Sequence, residues 1–200
     1  MFQRLSILFA AAALCLFASG CAEIVYPSDA LQMNKGSKVY TAYNVWYEDP
    51  ANISAVNYHK GKIIPFGTEI EFVGVTKAPL FFPNTGKVIF KTVQSGEEFR
   101  IEYDQTWMIL PFEEYIRRAF TTKTAAEQTA GISKPEIEKL RRGIVEEGMT
   151  RKEVLLAYGY PVPHRTPSVL DDTWIFWNEK LESVRVVFQK DKVMAILKLD

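Results

Sequence analysis

The side chains best suited to acid–base or metal chemistry are two histidines and a few adjacent carboxylates. His59 and His164 lie far apart in the chain and lack the spacing of a helical metal-ligand pair. No G-x-S-x-G or comparable signature supports a Ser/His/Asp nucleophile. The acidic pairs at 97–98, 113–114 and 171–172 lie where turns and element ends usually carry charge. The pattern therefore predicts a protein that is not an enzyme, with no cofactor and no metal, although two carboxylates facing across a cleft, as in a glycosidase, stay open.

The N-terminal segment that ends at Cys21 gives the clearest indication of the cellular location of the protein. Met1–Arg4 is a short basic start, Leu5–Phe17 is an apolar run, and Ala18-Ser19-Gly20-Cys21 follows. A basic start, an apolar stretch and small residues are typical of a signal peptide, and the run is shorter than the roughly 20 residues that span a bilayer. The segment resembles a bacterial lipoprotein signal with its lipobox.

The lipoprotein resemblance implies removal of residues 1–20, a diacylglyceryl thioether on the Cys21 sulfur and an acyl group on its new amino terminus. Several acyl chains hold a protein at a membrane far more firmly than one. Ala22, rather than Asp, follows the cysteine, which in enteric-type bacteria resembles the default for the outer membrane. The implied location is the outer membrane, lipid-anchored, with the protein facing the periplasm or exposed at the surface. Cys15 leaves with the signal, so the folded part has no free thiol.

Charge argues against nucleic acid as the partner. The 200 residues contain 24 basic and 24 acidic side chains, and removal of residues 1–20 takes away only Arg4. Phosphate binding needs a concentrated basic surface, which a nearly neutral chain does not predict. The basic residues Arg117, Arg118 and Lys123 favour a solvated face, with an anionic-lipid site as the alternative.

Residues 21–37 read as a tether, and residues 38–110 as a small all-β barrel, SH3-like in type. Alternating side chains predict strands over Lys38–Tyr47, Ile53–His59, Glu69–Val75, Lys87–Val93 and Glu98–Tyr103. The tyrosines and Trp46 are expected to fill its core, or else to line a groove for cell-wall peptides.

The loop Ala78–Pro83 is a candidate contact for a partner or the membrane. Its Leu80, Phe81 and Phe82 lie between prolines, and adjacent phenylalanines cannot both face inward on one strand. A buried loop is the alternative interpretation.

Residues 111–132 predict a helix followed by a linker, and residues 133–200 predict an α+β domain. Ser133 and Glu136 form a capping box for one helix, which Gly148 is expected to end. Thr150 and Glu153 cap a second helix, and three strands follow over Thr173–Trp177, Ser183–Gln189 and Lys192–Leu197. The predicted fold class is thus α+β, with a two-helix, three-stranded antiparallel domain after the barrel.

Residues 133–198 resemble the SmpA/OmlA domain of BamE, the small lipoprotein of the outer-membrane β-barrel assembly machine. The positions that carry the resemblance are Gly148-Met149-Thr150, Glu153-Val154, Gly159, Pro161, Asp172 to Trp177, Val186 to Phe188 and Lys192-Val193. The same fold occurs in other envelope lipoproteins and in secreted proteinaceous inhibitors of β-lactamase, so a shared fold does not specify one activity.

The BamE-like resemblance implies a non-catalytic protein-binding scaffold in envelope or outer-membrane protein assembly. Its expected partners are the membrane, through the lipid anchor, and envelope proteins, including outer-membrane barrel assembly factors. A cell-wall (peptidoglycan) or lipid-binding module that uses the N-terminal barrel is the alternative.

Overall fold

A computed structural model describes residues 22–34, 36–78, 84–179 and 182–199 of the chain. Within these residues the fold is mixed α+β, with six helices and three sheets. The coarse α+β prediction is therefore confirmed. We refer to residues 22–132 as the N-terminal lobe and residues 133–199 as the C-terminal lobe.

The elements of the N-terminal lobe come first in chain order. They are β1 (Glu23–Ile24), α1 (Pro27–Leu31), β2 (Val39–Thr41), β3 (Val45–Tyr47), β4 (Ile53–Ser54), β5 (Lys62–Ile64), β6 (Glu69–Lys77), β7 (Thr85–Thr92), β8 (Glu98–Asp104), α2 (Gln105–Met108), α3 (Phe112–Ala119), β9 (Phe120–Thr121) and α4 (Ala125–Gln128). The C-terminal lobe contains α5 (Lys134–Arg141), α6 (Arg151–Tyr158), β10 (Thr173–Trp177), β11 (Ser183–Gln189) and β12 (Lys192–Leu199).

A seven-stranded sheet curls into a half-barrel in the N-terminal lobe. Its order is β4-β8-β7-β6-β2-β9, with β1 added to the far end of β6, and β3 and β5 form a separate two-stranded sheet. Alternation along β7 and β8 buries every second side chain, as the sequence predicts for strands with one face on a core. The hairpin between them is confirmed, because the Gly96 amide donates to the Thr92 carbonyl at 2.8 Å.

The predicted strand Lys38–Tyr47 is wrong as one element. The structure divides it into β2 and β3, which belong to different sheets. The break falls at Asn44, whose side chain is completely buried and bonded to the C-terminal lobe. Period-two alternation continues through the break, so it could not reveal the change of sheet. Similarly, only Ile53–Ser54 of the predicted strand Ile53–His59 is a strand.

The predicted tether contains β1 and α1, and both pack on the rest of the N-terminal lobe. β1 pairs antiparallel with β6, and Ala30 of α1 is buried in the core. The predicted linker after α3 is also structured, because Thr124 and Glu127 form a capping box that starts α4. Small polar residues suggested flexible chain at both places. Tertiary packing and local capping order them instead.

The C-terminal lobe places two helices on a three-stranded antiparallel meander. Both predicted capping boxes, Ser133 with Glu136 and Thr150 with Glu153, are present. The first helix is shorter than predicted, since α5 ends at Arg141 and the chain turns at Gly143, where φ is +67°. Gly148 also has a left-handed φ, of +86°, but lies in the turn before α6 rather than at the end of α5. The three strands β10, β11 and β12 are confirmed.

Each lobe has its own hydrophobic core, and Phe66 and Tyr160 each pack against the core of the other lobe. The N-terminal core is formed by residues of the curled sheet, α1 and α3, and the C-terminal core by residues of α5, α6 and the meander. Phe66, which lies between β5 and β6, is fully buried in the C-terminal core rather than its own.

Candidate functional site

The residues predicted to act most directly lie outside the described part of the chain. They are the lipidation candidate Cys21 and the contact candidates Leu80, Phe81 and Phe82. Their predicted roles stay predictions. The described residues form their candidate surfaces where the two lobes meet.

Asn44 joins the lobes through its side-chain amide. Its Nδ2 donates to the carbonyl oxygens of Leu140 at 2.7 Å and Ala157 at 3.1 Å, near the ends of α5 and α6. Its Oδ1 accepts from the amide of Phe66 at 3.0 Å. A buried amide whose hydrogen-bonding groups are all satisfied fixes the relative position of its partners.

A second asparagine and a histidine extend this junction. The Nδ2 of Asn57 donates to the carbonyl oxygens of Asn44 at 3.1 Å and Tyr158 at 3.0 Å. The Nε2 of His59 lies 2.9 Å from the main-chain carbonyl oxygen of Tyr158. Because a carbonyl oxygen can only accept, Nε2 is the nitrogen that carries the proton. Burial lowers the pKa of His59 to about 4, and the ring packs against Trp46 and Tyr158. This histidine therefore holds the lobes together as a neutral side chain.

An aromatic groove crosses the surface of the junction. Trp46, Tyr47 and Tyr58 line a cavity of about 440 Å³, which adjoins a second one of about 360 Å³ that shares Trp46. Lys60 lies at the rim and bonds Glu179 of the C-terminal lobe at 2.6 Å. Aromatic faces with carboxylates and a lysine beside them can bind sugar rings and peptide amines.

A basic cleft, of about 490 Å³, lies elsewhere along the junction. Its charged lining includes Arg117, Arg118, Lys123 and Lys152, with Tyr160 beneath the Arg118 guanidinium at 5.0 Å. This cleft brings together the three basic residues that the sequence singled out.

The two arginines of this cleft already have a partner. Arg117 and Arg118 both bond Glu114, at 2.9 and 3.1 Å. Partial burial opposes ionisation of Glu114, but these hydrogen bonds outweigh it and lower the pKa of its carboxyl. The pairing favours the solvated-face interpretation of Arg117 and Arg118.

Most of the remaining candidates for chemistry are engaged in structural contacts. Glu113 bonds Lys77 at 3.1 Å, Asp172 bonds Arg151 at 2.9 Å, and the His164 ring stacks on Trp177. The described residues contain no group of three or more His, Cys, Asp or Glu side chains placed to hold a metal ion.

The two edges of the C-terminal sheet differ. The edge at β10 is covered, because the carbonyl of Ile175 accepts from the amide of Val162 at 3.3 Å. At β12, the Val193 carbonyl accepts from the Gly148 amide and the Val193 amide donates to the Met149 carbonyl, both at 2.8 Å. Beyond Val193, β11 is the only strand that pairs with β12 in the part of the chain that the structure describes.

Strand alternation shows which groups this open edge presents. The backbone groups of Ile175 point away from β11, toward the loop that covers β10. The backbone groups of Arg185, its partner on β11, therefore point in the other direction, toward Leu197 of β12. The backbone groups of Ile196 and Lys198 therefore point away from the sheet. The side chains of Met194 and Leu197 on the same strand are exposed.

Sequence reasoning missed most of this site. Asn44 and Asn57 lie within predicted strands, and Phe66 lies between two predicted strands without a role of its own. An asparagine within an alternating apolar run is nevertheless a usable signal of a break. The open edge of β12 has no sequence signal, because the pairing of a strand depends on its neighbours in space.

Comparisons with known proteins give no family for the chain. No protein-family model matches it, and searches of curated proteins and of solved structures returned no match. None of the helices in the described ranges has the length and apolar character of a membrane-crossing segment.

Proposed function

We propose that the chain is an outer-membrane lipoprotein, anchored through Cys21, that acts as a non-catalytic protein-binding scaffold in envelope or outer-membrane protein assembly. In this proposal the curled N-terminal sheet is an SH3-like barrel and the C-terminal lobe is a BamE-like domain. The two helices over a three-stranded meander, with both capping boxes, support the second assignment.

The observation that carries the proposal is the open edge of β12. An edge strand presents unpaired N–H and C=O groups, and folded proteins usually cover such edges or keep them short. Within the described residues, the open part of this strand runs over residues 194–199, and its opposite counterpart at β10 is covered by the protein's own loop. An extended segment of another protein can add to such an edge as a further strand.

Outer-membrane barrel proteins and their assembly factors are the partners that this mode fits. A barrel strand before closure is an extended segment with alternating side chains and unpaired backbone groups. Exposed Met194 and Leu197 offer apolar contacts to alternate side chains of that segment. Lys192 and Lys198 flank them and discourage pairing with another copy of the same positively charged edge.

In-cell crosslinking tests this partner assignment. A photoreactive residue in place of Leu197 is expected to capture outer-membrane barrel proteins or their assembly factors in intact cells. The matched control replaces Leu170, which is exposed in the same lobe but lies before β10. Equal capture from both positions, or capture of peptidoglycan alone at 197, would contradict the proposal.

The anchor has a separate test. Cys21→Ser is expected to move the protein from the membrane fraction to the soluble fraction, because the lipid attachment site is lost. If the variant stays in the membrane fraction, another mode of attachment operates.

A second candidate function, binding of cell-wall peptides, is favoured by the aromatic groove of Trp46, Tyr47 and Tyr58. Titration with a muramyl peptide would then quench tryptophan fluorescence saturably, and Trp46→Phe would remove that change. Absence of saturable quenching rejects this candidate without affecting the strand-addition proposal.

A further inference from the structure

One end of the curled sheet carries exposed apolar side chains that the folded lobe does not use. Trp107 in α2 is 58% exposed and Ile109, directly after α2, is 60% exposed. Ile24 in β1 is 65% exposed, and Tyr26 is similarly exposed. Several large apolar side chains exposed at one end of a lobe are typical of a contact surface.

Backbone pairing places Ile24, Trp107 and Ile109 at the same end of the sheet, whereas Tyr26 lies farther along β6, beyond Val75. Glu23 of β1 pairs with Lys77 at the end of β6, and Thr85 at the start of β7 pairs with Asp104 at the end of β8. Helix α2 begins at Gln105, whose amide donates to the Asn84 carbonyl at 2.9 Å.

Ile109 adopts a conformation that is unfavourable for its residue type. Its φ is +51°, in the left-handed region where Gly or Asn usually ends a helix. A β-branched residue there costs roughly 1–2 kcal/mol relative to the right-handed region. Packing among the described residues does not explain an isoleucine at this position, because the side chain is mostly exposed.

The lipid anchor identifies what would cover this end. Two peptide units separate Cys21 from Glu23, and an extended chain spans roughly 3.5 Å per residue. Acyl chains on Cys21 would therefore begin within about 7 Å of β1. We infer that the end of the sheet that carries Ile24, Trp107 and Ile109 lies in the lipid interface of the membrane. This inference rests on the proposed lipid anchoring.

The ion pairs at this end join one lysine to two glutamates, so they leave no excess of positive charge, which specifies the kind of contact. Lys77 bonds both Glu23 at 3.3 Å and Glu113 at 3.1 Å. Tryptophan and tyrosine favour the headgroup region of a bilayer because their rings combine apolar and polar parts. The contact is therefore apolar, and it should not require anionic lipid or low salt.

Fluorescence quenching by lipids that carry a nitroxide on the acyl chain tests the inference. The full mature protein with its lipid is reconstituted in phosphatidylcholine vesicles containing such lipids, and its tryptophan emission is recorded. Trp107→Phe should remove most of the quenchable emission. The matched variant Trp177→Phe, in the C-terminal lobe, should leave it unchanged, and raising the salt concentration should have no effect.

Two results would overturn the inference. One is wild-type emission that nitroxide lipids do not quench, and the other is quenching that Trp107→Phe leaves intact. The anchor is decided separately by the fractionation of Cys21→Ser. An anchored protein with unquenched Trp107 would show that the anchor is right and the docked surface wrong.

Discussion

The side-chain amide of Asn44 donates a hydrogen bond of 2.7 Å to the main-chain carbonyl of Leu140, 96 residues later in the chain. Both residues are completely buried, and the bond crosses from one lobe to the other. A short side chain thus connects the point where the N-terminal chain changes sheets to the end of α5. The relative position of the basic cleft, the aromatic groove and the β12 edge depends on this junction.

Removal of the Asn44 amide should destabilise the whole protein. Asn44→Ala leaves the buried Leu140 and Ala157 carbonyls and the Phe66 amide without this partner. Unsatisfied buried groups cost about 1–3 kcal/mol each, so we expect a loss on the order of 3 kcal/mol in the free energy of unfolding by urea. Asn52→Ala, on the surface, is the control. A loss at Asn44 no larger than at Asn52 would contradict this description of the junction.

Two glycines with left-handed φ angles should respond differently to alanine. At Gly143 a Cβ would overlap the Trp46 ring, whereas at Gly148 it would meet nothing within 4 Å. Gly148→Ala should cost about 1 kcal/mol from backbone conformation alone, and Gly143→Ala should cost at least about 1 kcal/mol more through the clash. Thermal unfolding of the two variants gives the comparison. Equal costs would mean that the lobes do not meet at Trp46.

His59 should make stability depend on pH between about 4 and 6.5. Burial lowers its pKa in the folded protein to about 4, while the unfolded chain has the ordinary value near 6.5. The unfolded state therefore binds more protons in this window, so stability is complete above pH 6.5 and falls as the pH drops toward 4. The loss is at most about 3 kcal/mol.

The variant His59→Gln isolates this effect. Urea unfolding at pH 7 and at pH 5 should show a smaller difference in stability for the variant than for the wild type. Measurement at or above pH 5 limits the contribution of the carboxyls whose pKa values are lowered, such as that of Glu114. An unchanged difference would mean that His59 is accessible to protons in the folded state.

The lobes should unfold together. Phe66 belongs by sequence to the N-terminal lobe but fills the C-terminal core, with the Arg141 guanidinium 5.2 Å from its ring. Phe66→Ala should cost about 3–5 kcal/mol. Tyrosine absorbance, weighted toward the N-terminal lobe, and tryptophan fluorescence, to which the buried Trp174 of the C-terminal core contributes, should report the same shifted midpoint. Separate midpoints would show independent lobes.

The sequence predicted local features better than pairings in space. The correct predictions depend on residues close together in the chain. They are the capping boxes at Ser133 and Thr150, the hairpin at Gly96 and the three C-terminal strands. The division of Lys38–Tyr47 at Asn44 depends on carbonyls about 100 residues away, so alternation alone could not reveal it.

The candidate site follows the same distinction. The basic residues Arg117 and Arg118 were visible in the sequence, but their shared partner Glu114 was not assigned to them. Trp107 and Ile109 gave no signal, because exposure of an apolar side chain depends on what the fold leaves uncovered. The open edge of β12 likewise exists only once the order of the strands is known.

Strand addition at β12 is tested most directly by removing one outward-pointing amide. Lys198→Pro deletes the N–H that points away from β11, while Lys198→Ala removes the same side chain and keeps that N–H. Both variants carry a photoreactive residue at 197 and are compared at equal levels of folded protein. Strand addition predicts that crosslinking to outer-membrane barrel proteins or their assembly factors falls at least tenfold for Lys198→Pro. The same crosslinking should stay near wild type for Lys198→Ala. Equal crosslinking in the two variants would contradict binding through the β12 edge.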